Sequence, residues 1–129
     1  MFCVKKKKMN RFVNDEEIFM DFIYNDFETV KKRILKGYNI NEKHWIGNQI
    51  YTFVSFVCQA QCYSLLFYMM DQIQMDQEED EFNPLFILFH QYLFQHQLFK
   101  IFLKRGMTIP LQLKYCEQFY PYFMYSFFI

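Results

Sequence analysis

Four cysteines and three histidines are the residues of this 129-residue chain with the chemistry to hold a metal. Cys58 and Cys62 lie four positions apart, which on a helix puts both thiols on one face, and His90 and His96 lie six apart. A zinc site of two cysteines and two histidines can be drawn from them. Finger and ribbon sites, however, take their ligands from short C-x-x-C turns, which this spacing lacks. A thiol used as a small apolar side chain is the commoner role and the one expected here. The acidic run Asp76, Glu78, Glu79, Asp80, Glu81 has charge enough for calcium. It lacks the mid-loop glycine and alternating oxygen ligands of an EF-hand, so it reads as a solvated loop. There is no G-x-S-x-G, no phosphate-cradling glycine loop and no H-E-x-x-H. The expectation is a protein that is not an enzyme, with no metal, no cofactor and no small-molecule substrate.

Surface chemistry remains. Trp45 is the only tryptophan, sits in a polar turn and is followed by a second apolar residue, Ile46. Binding energy concentrates in such aromatic anchors. The competing reading folds Trp45 down beside Tyr51. The run Lys5 to Lys8 suits phosphate contact or a solvated tail. Over the whole chain 14 basic and 14 acidic residues cancel, which argues against nucleic acid as a partner.

The elements that must position these residues are helical. Hydrophobic residues make up 53% of the chain, enough for a core, while only 3 Gly and 3 Pro argue against a many-stranded sandwich. Asn14 followed by Glu17 resembles a capping box and opens a helix over 15–24, with Ile18, Phe19, Phe22 and Ile23 at helical spacing. Asp26 caps a second helix with Phe27, Val30, Ile34 and Leu35 inward, Lys31, Lys32, Arg33 and Lys36 outward, and Gly37 as its stop. A polar finger follows over Glu42–Asn48, with further helices over 49–58 and 60–70. A second finger spans Asp76–Phe82. Asn83-Pro84 starts a helix over 84–92, another covers 95–105 and ends at Gly106, and Ile109-Pro110 starts the last.

No apolar stretch follows the N-terminal lysines, because Asn14, Asp15, Glu16 and Glu17 come next, so no secretory signal is expected. A cytoplasmic protein with reduced thiols is the default. The apolar stretches Tyr63–Met70, Leu85–Phe89 and Phe119–Ile129 all fall short of the roughly 20 residues of a membrane span. The Tyr-rich C-terminus nevertheless suits a membrane interface. A small helical protein held at a membrane through 119–129 is therefore the alternative function.

The order helix, turn, helix, glycine, extended isoleucine and polar finger recurs. Asn39-Ile40-Asn41 is answered by Gln72-Ile73-Gln74 33 residues on. A period near 33 built of two short helices and a hairpin-like turn resembles the ankyrin repeat family. Asp26 to Asn41 looks like the second half of one unit, Asn83-Pro84-Leu85-Phe86 like the T-P-L-H start of another, and Leu98 to Ile109 like a second half again. The resemblance spans about residues 12–110. It implies an all-α, ankyrin-like solenoid over 13–118, preceded by a disordered basic extension (1–12) and followed by an aromatic segment (119–129). That last segment folds back as a cap, meets a partner, or marks a piece of a longer array. The sequence departs from the family at Val54-Ser55 and Leu88-Phe89, where small residues are usual, at Met70 for a glycine, and at Cys58-Gln59 for the turn between helices. A helical-hairpin repeat of another family is the alternative architecture. The resemblance implies a protein partner held by Lys43, Trp45, Ile46 and Asn48 of the first finger and Phe56 and Val57 of its helix. The next unit would add Glu79, Asp80, Phe82, His90 and Gln91.

Overall fold

The computed structural model describes residues 13–114, with side chains from 17 to 113. Seven α-helices lie in this range: α1 (Val13–Ile23), α2 (Phe27–Leu35), α3 (Phe53–Gln59), α4 (Tyr63–Tyr68), α5 (Pro84–Phe89), α6 (His96–Lys104) and α7 (Leu111–Lys114). Two short antiparallel strands, β1 (His44–Ile46) and β2 (Gln49–Tyr51), stand between α2 and α3. Single 3-10 turns occupy Met70–Gln72 and Asp80–Phe82. The fold is thus mostly helical with one small hairpin. The expectations for the basic extension and the aromatic segment 119–129 lie outside the described residues.

Helix ends set the layout. Asn25 (φ 64°), Gly37 (φ 103°), Gln61 (φ 63°) and Gly106 (φ 85°) each follow a helix in the left-handed region. At each, the residue's own amide donates to the carbonyl three back, and the next amide donates to the carbonyl five back. Gly37 N–H reaches Ile34 and Tyr38 N–H reaches Arg33; Gln61 N–H reaches Cys58 and Cys62 N–H reaches Val57. This closure satisfies carbonyls that the helix itself leaves unpaired. Asn25 and Gln61 do without glycine, at a cost of about 1 kcal/mol each. At the start of α2, the Asp26 carboxylate accepts from the Thr29 amide and hydroxyl, at 3.3 and 2.8 Å.

The hairpin register pairs His44 with Tyr51, Trp45 with Ile50 and Ile46 with Gln49. Its two-residue loop is Gly47-Asn48, with positive φ at Gly47 alone (69°), as a type II′ turn requires. Helix α3 begins only at Phe53, so residues 49–51 are strand, not helix as expected. The cause is a buried reciprocal cap: the Ser55 amide donates to Thr52 Oγ1, and the Thr52 amide donates to Ser55 Oγ, both at 3.0 Å. Other boundaries shift too. Helix α1 starts at Val13, which places Asn14 inside the helix instead of at its cap. Helix α4 starts at Tyr63 because the Gln61 turn occupies 60–62, and α5 stops at Phe89. The segment 76–82 forms no hairpin but a loop ending in a 3-10 turn.

One buried cluster runs through the described residues, from Ile18 and Phe19 of α1 to Phe102 of α6 and Leu113 of α7. Phe19 meets Phe53 and Phe56 edge to face at 5.4 and 5.1 Å, and Phe22 meets the same two rings at 5.9 and 5.8 Å. Helix α3 packs on both α4 and α5, and α5 packs on α6. Leu35, expected inside, is exposed. The cationic face of α2 is smaller than expected. Arg33 is bound to Asp21 and Glu17 of α1 at 2.7 and 3.0 Å, and Lys31 lies 5.1 Å over the Tyr68 ring.

Polar bonds join segments about 33 residues apart. Asn41 Nδ2 donates to the Gln72 carbonyl at 2.8 Å, and Asn41 Oδ1 accepts from the Gln74 amide at 2.9 Å. The Thr108 amide donates to the Met75 carbonyl, and Arg105 pairs with Asp71. Beside these bonds Ile40, Ile73 and Met107 are all buried.

Asn41→Ala removes both bonds to the 72–74 segment and leaves a backbone carbonyl and amide without their partner. It is expected to lower the unfolding free energy by about 1–2 kcal/mol in urea titration. Gln74→Ala, whose own side chain makes no hydrogen bond among the described residues, should change it by less than about 0.5 kcal/mol.

Candidate protein-interaction surface

Strand alternation decides what the first finger presents. His44 and Ile46 are half-buried and face inward, where the His44 ring meets Phe19 at 5.9 Å. Lys43 and Trp45 face the other way. Trp45 is 63% exposed and makes no hydrogen bond or ring contact among the described residues. It does not fold down on Tyr51, whose ring packs instead on Phe56 at 5.0 Å. Lys43 Nζ donates to Glu79 Oε2 at 2.5 Å and stands 5.2 Å above the Phe82 ring. Both ends of this pair are about half exposed, so it contributes at most about 1 kcal/mol. Its effect is to hold the hairpin against the acidic loop.

The surface expected from the sequence is only partly assembled. Lys43, Trp45, Asn48, Glu79 and His90 are exposed, and Asp80 is half-buried, accepting from Gln112 Nε2 at 3.2 Å. Phe82 is buried, 3% exposed, beneath Lys43. Val57 is fully buried, and Phe56 is half-buried in the phenylalanine cluster. Val57 and Phe56 are drawn inward because the face of α3 that they occupy packs against α1 and α5, while Phe82, on the 3-10 turn 80–82, is covered by Lys43.

Gln91, expected at the partner surface, is used inside the chain. Its Nε2 donates to the Cys58 carbonyl at 2.7 Å, and its Oε1 accepts from the Tyr63 hydroxyl at 2.5 Å. It fastens the loop after α5 to the end of α3 and to α4, with both polar atoms engaged. His90 Nδ1 donates to the Phe86 carbonyl at 2.8 Å, and the two rings tilt against each other at 4.4 Å.

The sequence did not single out a concavity beside these residues. An open cleft of about 480 Å3 is bordered by Gln59, Gln61, Glu81, Phe86, His90 and Tyr92. Its residues come from the end of α3, the acidic loop and α5, which are far apart in sequence. Gln59 and Tyr92 lie 33 residues apart, but their residue types carry no sign of a concavity.

The cysteines and histidines do not converge. Among the described residues no group of three or more metal-binding side chains occurs. Cys58 is fully buried, and loss of water pushes its thiol up to about 12. The Tyr63 phenol is also raised, first by burial and second by the nearby Cys58. Among the described residues no helix is long and apolar enough to cross a membrane.

Two tests follow from these contacts. Gln91→Ala should cost about 1–3 kcal/mol of stability in urea, while His90→Ala, exposed and bonded to one carbonyl, should cost less. Cys58 makes stability pH-dependent. Well below pH 9 the thiol is protonated in both folded and unfolded chains. As pH rises from 9 toward about 12 the unfolded chain releases the proton and the folded chain retains it, so stability falls. Cys58→Ala should flatten that fall in urea midpoints measured across this window, leaving a smaller slope of the same sign from Tyr63. Compared with protein-family models, curated proteins and solved structures, the chain matches none of them.

Proposed function

We propose that the chain is a non-enzymatic, cytoplasmic protein-interaction module, an ankyrin-like stack of helix pairs that holds a protein partner against its finger loops. The architectural part draws support from the bonds one period apart. Asn41 with Gln74, Met75 with Thr108 and Cys58 with Gln91 are each separated by 33 residues. A chain whose segments meet at a fixed sequence interval is built of units that lean on their neighbours.

The observation that carries the binding reading is Trp45. A large ring exposed to 63% on a three-residue strand has few rotamers to lose and much apolar surface to cover. The hairpin beneath it is held by the half-buried Ile46 and by the Lys43–Glu79 pair. Asn48 at the hairpin tip and Glu79, paired with Lys43, supply polar groups on the hairpin and on the loop it rests on, and Asp80 and His90 are proposed to extend this surface. Such a polar rim sets orientation and encounter rate more than affinity.

Affinity capture on the immobilised full chain, followed by titration of the recovered protein, tests this. Trp45→Ala should weaken binding by about tenfold or more with an unchanged circular dichroism spectrum. A partner that binds the variant undiminished places the contact elsewhere.

A further inference from the structure

The open cleft of about 480 Å3 beside α5 has walls of two kinds. One is aromatic. Phe86 and His90 form a tilted pair fixed by the His90 hydrogen bond to the Phe86 carbonyl, and Tyr92 stands 97% exposed at the rim. The other is polar, with the exposed amides of Gln59 and Gln61 and the carboxylate of Glu81. Neither lysine nor arginine borders the cleft among the described residues. Glu81 makes no ion pair there, and it ends a loop with five acidic residues between 76 and 81, of which Glu79 is matched by Lys43. Among the described residues the charge bordering the cleft is therefore negative. Phosphate, nucleic acid and acidic lipid are repelled, and a cation is drawn in.

We infer that this cleft receives an arginine side chain presented by a basic segment of a protein partner. The inference rests on the binding-module reading and names the partner's chemistry. Arginine fits both walls. Its methylene stem and flat guanidinium stack on ring faces, and its fork of N–H groups donates to a carboxylate and to amide oxygens together. Lysine offers a single charged point and no plane. The cleft is open to solvent, which leaves room for the residues flanking the arginine.

Amide NMR titration of the full chain tests the inference with three capped tripeptides, Leu-Arg-Leu, Leu-citrulline-Leu and Leu-Glu-Leu. Citrulline keeps the length of arginine and removes the charge. The arginine peptide should shift the amides of Gln59, Gln61, Phe86 and His90 and saturate, with the citrulline peptide about three- to tenfold weaker and the glutamate peptide weakest. Glu81→Gln, a substitution at an exposed residue, should bring the arginine peptide down to the citrulline level and leave the latter unchanged. Equal affinities, no saturable shift, shifts confined to other residues, or an arginine preference that survives Glu81→Gln would each overturn the assignment. So would a self-association, seen by sedimentation, that Glu81→Gln abolishes, since it gives the cleft to a second copy of the chain. A captured partner that depends on Trp45 but not on Glu81 leaves the binding module standing and removes only the arginine.

Discussion

Everything described here depends on one constraint: none of these helices is long enough to stand by itself. Helices α4 and α5 have six residues each, against the roughly 12–15 that a helix needs to be even marginal alone in water. Their stability comes from burial against other segments, so the contacts between segments are the fold. Ile40, Ile73 and Met107 are buried at intervals of 33 and 34 residues, and beside them Asn41, Met75 and Thr108 close hydrogen bonds to the neighbouring segment. A buried apolar residue with a polar bridge next to it fixes both the depth and the register of each join.

The phenylalanine content has its place in this scheme. Phe19 and Phe22 of α1 and Phe53 and Phe56 of α3 meet edge to face, with the positive rim of one ring against the negative face of another. This geometry fills the wide gap between two helices with large, rigid groups. It also draws Phe56 off the surface, since a ring that shares three partners within 6 Å is not free to meet a ligand.

The polar surface does two kinds of work. Gln91 and Asn41 use every available atom on the chain's own backbone or side chains and hold the structure together. Lys43 and Glu79 form an exposed pair that adds little stability but seats the hairpin on the acidic loop. Trp45 stays exposed on one side of the hairpin, and an open cleft lies beside α5.

Local signals were legible where the chemistry is local. Asp26 as a cap, Gly37 and Gly106 as helix stops and Asn83-Pro84 as a start all follow from neighbouring residues, because capping and turn geometry act within five positions. Trp45 stood out as a ring in a short polar turn, but whether it stays exposed or folds onto Tyr51 was left to the tertiary structure. Gln61 was not, since its left-handed conformation goes against its own preference and is held by bonds to Cys58 and Val57. Phe56, Phe82 and Gln91 could not be sorted into core or surface from their types, because burial depends on which distant segment arrives beside them. The sequence by itself determined the mostly helical class, the Asp26 cap, the stops at Gly37 and Gly106 and the start at Asn83-Pro84. The tertiary structure decided which polar side chains remain available and where a cleft opens, since both are set by contacts between residues about 30 or more apart.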